Sequence, residues 1–110
     1  NINTINKIRG KFMSKVYLVA SLTPKNGLES EMESLLRGMC DPSRSETGCV
    51  FYSLFKNSDG FHFIECWKSE NDLDLHRETP HYKNFKEKIA DLLEVPPNVL
   101  KLEDVNIDLE

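Results

Sequence analysis

A chain of 110 residues, 39% hydrophobic and 29% charged, suits one soluble domain built round a single core. Its formal net charge of -4 argues against nucleic acid as the main partner, and no apolar run approaches the ~18 residues of a membrane span. Three scattered cysteines, Cys40, Cys49 and Cys66, suit reduced thiols in a cytoplasmic protein better than a disulfide framework or a zinc site.

Residues 1–12, NINTINKIRGKF, carry Lys7, Arg9 and Lys11 and no acid. They lack the apolar stretch of a secretory signal and read as a leader or vector-derived extension, with a single domain over 13–110. Val16 to Leu22, rich in β-branched and aromatic residues, reads as a first strand. Leu28, Met32, Leu35, Leu36 and Met39 share one helical face, and Asp41-Pro42 is expected to end or bend that helix. Cys49–Lys56 and Phe61–Trp67 read as two strands joined by the turn Asn57-Ser58-Asp59-Gly60, and so as antiparallel neighbours. Ser69 caps a short helix running to about Arg77. Thr79-Pro80 then opens another, with Tyr82, Phe85, Ile89, Leu92 and Leu93 on one face, ending before Val95-Pro96-Pro97. The tail from Val99 to Leu109 reads as a last strand, its alternation clearest at Val105, Ile107 and Leu109.

Merging the two short helices gives βαββαβ, an α+β ferredoxin-like order with an antiparallel sheet. Such a sheet has helices on one face only. A second copy of the chain is the simplest cover for the other, so a homodimer is expected. Along the third strand, Phe61, Phe63, Glu65 and Trp67 share one face, while His62, Ile64 and Cys66 point the other way.

The run Ser43 to Phe85 resembles the antibiotic biosynthesis monooxygenase (ABM) family. Its members read S-R-x-E-x-G-C-x-x-Y, then a hairpin, then E-x-W-x-S, then H-x-x-x-P-H-F/Y. Here those positions are Ser43, Arg44, Glu46, Gly48, Cys49 and Tyr52, then Glu65, Trp67 and Ser69, then His76, Pro80, His81 and Tyr82. The resemblance implies a dimeric α+β barrel, two sheets face to face, with a pocket between sheet and helices in each subunit. It also implies cofactor-independent monooxygenation of quinols or anthrone-like aromatics with O2. A related branch isomerises a phosphorylated dicarbonyl of the autoinducer-2 type, and Thr79 to Lys83, TPHYK, is similar to that branch too. A third branch degrades haem with an Asn, a Trp and a His. The matching positions here are Ala20, His76 and Lys86, so haem degradation is not expected.

A monooxygenase without flavin or metal draws its electrons from the substrate. Its site needs a base, a hydrogen-bond partner for the phenolate, and dry apolar walls. His76, His81 and Trp67 are the candidate catalytic set, because imidazole titrates near neutral pH. Tyr52, Phe63, Glu65, Tyr82 and Phe85 are the candidate substrate-binding residues. Each also has a plainer reading: junction packing for the histidines, core anchoring for Trp67, barrel packing for Tyr52, an ion pair for Glu65. No metal or other cofactor is expected, since a spacing of five with Pro80 between does not put His76 and His81 on one helical face. An isomerase would need a cationic clamp, for which Arg77, Lys83 and Lys86 are near. A non-catalytic dimeric binding module is the third possibility, since fold does not fix function.

Overall fold

The computed structural model describes residues 14–106. Residues 1–12, read above as an extension, lie outside them, as do Ile107 and Leu109. The element order is β1 (Val16–Leu22), α1 (Glu29–Arg44), β2 (Cys49–Asn57), β3 (Gly60–Trp67), α2 (Glu70–Arg77), α3 (Pro80–Ile89) and β4 (Asn98–Leu102). The strands form one open sheet in the order β2-β3-β1-β4, every pair antiparallel. This is the ferredoxin-like arrangement that the element order predicts.

Strand alternation divides the sheet into two unlike faces. Val16, Leu18 and Leu22 of β1 and Phe61, Phe63 and Trp67 of β3 turn toward the helices. There they meet Met32, Leu36 and Met39 of α1, Leu73 of α2, and Phe85 and Ile89 of α3. A register shift between Cys49 and Phe51 lets both Cys49 and Tyr52 face this core, although they are three residues apart. The opposite face is apolar and open: Phe51, Phe55, Ile64, Leu100 and Leu102 are each 39–53% exposed.

The hairpin turns tightly. Asn57 pairs with Gly60, whose φ of +135° suits glycine alone, and the Asn57 side chain accepts the Asp59 amide at 2.9 Å. Ser69 and Thr79 cap their helices as expected, accepting the amides of Asp72 and Tyr82 at 3.1 and 3.2 Å.

Three boundaries differ from the sequence reading. First, α1 runs on through Pro42 to Arg44. Proline in the last turn sacrifices only the amide that would bond the Gly38 carbonyl. The turn is held beyond it by Ser45 N to Asp41 O (3.1 Å) and by Arg44 Nε to Tyr52 O (2.7 Å). Second, α3 stops at Ile89. The chain at Leu92 to Glu94 pairs instead with Thr23 to Lys25, through Lys25 N to Leu92 O (2.8 Å) and Glu94 N to Thr23 O (2.9 Å). Third, β4 is short. Its last pair is Leu102 with Tyr17, one residue from the start of β1, so the chain runs past its partner. Val105, expected in the strand, lies in a turn and is 90% exposed.

Among the described residues no helix is long and apolar enough to cross a membrane.

Candidate active site

Between the helix-side sheet face, α2, α3 and the segment 93–97 lies a cavity of about 480 Å³. Its walls are mostly apolar, as expected of a small-molecule site. Tyr52, Phe63, Glu65, Tyr82 and Phe85 all line it, and so does His76. His81 and Trp67 do not.

His76 is held from three sides. It lies on the last turn of α2, 2% exposed, with its ring against Trp67 at a centroid separation of 4.4 Å. Tyr82 approaches edge-on at 5.1 Å. Its Nδ1 lies 2.6 Å from Glu46 Oε2. Burial lowers the His76 pKa, while the Glu46 carboxylate works in the opposite direction. A neutral ring beside a carboxylate that only accepts must carry its proton on Nδ1. Nε2 is then the bare nitrogen, since Nδ1 is the ring atom that Glu46 engages.

Glu46 also takes His81. The His81 Nε2 lies 2.8 Å from the same Oε2, so one carboxylate oxygen bridges both histidines. Proline 80 does not spoil this convergence. The break between α2 and α3 turns the two rings toward one another, 5.8 Å apart. His81 thus reaches the cavity only through Glu46 and His76.

The loop carrying Glu46 has a defined path. The Gly48 carbonyl accepts the Lys68 amide at 2.9 Å, and a Cβ at position 48 would collide with the Asp72 side chain. Asp72 in turn accepts the Ser69 hydroxyl at 2.9 Å. The glycine therefore lets the loop lie against the α2 cap, which brings Glu46 under His76.

Trp67 is fully buried and sits behind the cavity. It stacks on His76 and donates Nε1–H to Glu65 Oε1 at 2.9 Å, linking these two groups of the wall. Glu65 occupies the middle of the sheet, paired with Leu18 on one side and Tyr52 on the other. It is 5% exposed, and burial pushes its carboxyl up to about 7 despite the Trp67 hydrogen bond. Burial, with the nearby Glu65, also raises the Tyr52 phenol, which stays a donor. Arg77 and Lys86 stand at the wall as well, whereas Lys83 pairs with Glu78 at 3.4 Å.

His62 is remote from this site. It lies on the other sheet face, bonded to Ser21 Oγ and Asn57 Oδ1, both at 2.8 Å.

The residue that sequence reasoning leaves without a role is Glu46. Its signal is the fixed carboxylate of S-R-x-E-x-G. Its partners lie 30 and 35 residues away, so no local spacing reveals them.

Residues 15–88 match the family Antibiotic biosynthesis monooxygenase. The chain is 35% identical over 91 residues to Rv0793 of Mycobacterium tuberculosis, covering 81% of this chain and 90% of that protein. It is 31% identical over 91 residues to YcnE of Bacillus subtilis, covering 80% and 96%. Both names describe candidate monooxygenases. The solved structure of Rv0793 superposes with a TM-score of 0.80 at 34% identity, covering 84% of this chain and 96% of that one. That of PA3566 from Pseudomonas aeruginosa gives 0.78 at 28% identity, covering 84% and 95%.

Proposed function

The chain belongs to the antibiotic biosynthesis monooxygenase family, and we propose that it oxidises a quinol or anthrone-like aromatic with O2, without a cofactor. The observation that carries this reading is His76. It stands in an apolar cavity wall with Nδ1 engaged by Glu46, which leaves Nε2 to accept a proton from a bound hydroxyl.

The residues divide the work as follows. Phe63, Phe85 and Tyr82 hold a flat ring. His76 Nε2 removes the phenolic proton, and Glu46 stabilises the imidazolium that forms. The phenolate passes electrons to O2, whose two atoms part: one enters the substrate carbon, the other leaves as water. A hydroquinone thus becomes a hydroxyquinone, supplying all four electrons. Glu65, half protonated near pH 7, is suited to give the proton that the departing oxygen needs. Tyr52 donates a hydrogen bond to the substrate oxygen.

The open sheet face is covered by a second copy of the chain. Its five exposed apolar side chains form a contiguous patch of the kind that marks an interface.

A second reading has one observation in its favour. Arg77 and Lys86 stand at the cavity wall, where they would suit the phosphate of a dicarbonyl isomerase substrate. Oxygen uptake separates the readings. The purified protein is mixed with hydroquinones and anthrones, and autoxidation is subtracted. Enzyme-dependent uptake without added flavin, nicotinamide or metal is the expected result. No uptake across the panel, with turnover of a phosphorylated dione, would replace this reading with the isomerase. A ligand-induced melting shift without any turnover would leave a binding module.

A further inference from the structure

We propose that Glu46, His76 and His81 form a binding site for a divalent transition-metal ion of the zinc class. We propose further that its occupancy turns Nε2 of His76, a residue of the cavity wall, from an acceptor into a donor. His76 Nδ1, His81 Nε2 and Glu46 Oε2 all lie within 4.8 Å of one another. They come from three separate parts of the fold: the loop before β2, the end of α2 and the start of α3. Two imidazoles and one carboxylate are a ligand set that holds zinc with a fourth position open.

The adjustment required has two parts: the ring nitrogens, within 4.8 Å of one another, draw together by up to about 1.5 Å, and the Glu46 oxygen retreats. Metal bonds of about 2.0–2.2 Å to nitrogen and oxygen place tetrahedral donor atoms about 3.3 Å apart. The Glu46 oxygen now lies 2.6 and 2.8 Å from the two ring nitrogens, as a hydrogen-bond acceptor does. Backing it away by about half an ångström, as the two rings close on the ion, exchanges its two hydrogen bonds for metal bonds. Glu46 has three side-chain torsions for that movement. The site also has its own entrance: the side chains of His81 and Glu46 are 22% and 15% exposed, and neither lines the cavity. An ion can therefore approach through His81 and Glu46, whatever occupies the cavity.

The consequence follows from the ring's two nitrogens. A metal on Nδ1 takes that lone pair, so the proton of a neutral ring must sit on Nε2. Nε2 can then donate but not accept. On the function proposed above, a bound ion switches the base off; the binding and the change of tautomer do not depend on that function.

The test is a zinc titration of the metal-stripped full chain by calorimetry, with cobalt absorption as a second probe. One ion per chain is expected, lost in His81→Ala and Glu46→Gln and retained in His62→Ala. Imidazole 15N NMR of the unmutated protein supplies a readout independent of any variant's folding. Zinc should shift His76 Nδ1 and His81 Nε2 and bring a proton to His76 Nε2. Absence of saturable binding, binding that survives His81→Ala or follows His62, or a His76 Nε2 that stays unprotonated would each overturn the proposal.

Discussion

Glu65→Gln isolates the cost of placing a carboxyl in the middle of the sheet. Glutamine keeps the shape and can still accept Trp67 Nε1–H through its amide oxygen, but it cannot ionise. The Glu65 carboxyl is raised from 4.5 to about 7 in the folded chain. Folding therefore favours its protonated form. That contribution is complete below pH 4.5, declines as the pH rises, and is gone above about 7. At ~1.4 kcal/mol per pH unit, the loss across this window is on the order of 3 kcal/mol. Glutamine does not lose it, and any fixed cost of the amide shifts its whole curve without changing the slope. Urea unfolding of both proteins from pH 4.5 to 8, at one chain concentration, gives the difference directly. The Gln variant should gain about 3 kcal/mol on the wild type across that range. Parallel stability curves would show that Glu65 ionises at an ordinary pH, and would remove its role as a neutral-pH proton donor.

Other outcomes follow from the geometry. His76→Ala should lower oxygen uptake 10²–10⁴-fold, the usual worth of a general base, whereas His81→Ala, acting only through Glu46, should lower it about tenfold. Equal losses in steady-state kinetics would give the base to His81 instead. Gly48→Ala should cost about 1–3 kcal/mol, because the methyl meets Asp72 while that side chain is held by the Ser69 cap. A melting point equal to wild type would mean the loop has another path. Ile64→Asp, on the open face, should turn a sedimenting dimer into a monomer; a wild-type chain that sediments as a stable monomer would refute the shared-barrel expectation.

What the sequence by itself determines here is local. The hairpin at Asn57–Gly60, the caps at Ser69 and Thr79, and the stripe Met32, Leu36, Met39 each rest on neighbours within a few residues, where turn chemistry and periodicity act. The alternation along β3 already separates Phe63, Glu65 and Trp67 from His62 and Ile64. Boundaries set by another element are not legible in this way. Only β1 decides that β4 ends at Leu102, and only pairing with Thr23 to Lys25 draws the chain out of helix after Ile89. The candidate site divides on the same line. His76 and His81 are visible as a pair, but five residues and a proline give their separation in sequence, not in space. Their meeting on one oxygen of Glu46 depends on a glycine that lets a distant loop press against the cap of α2. Likewise Trp67, a conspicuous aromatic in the sequence, acts from behind the cavity. The pairing of strands and the packing of helices place it behind His76, out of a ligand's reach.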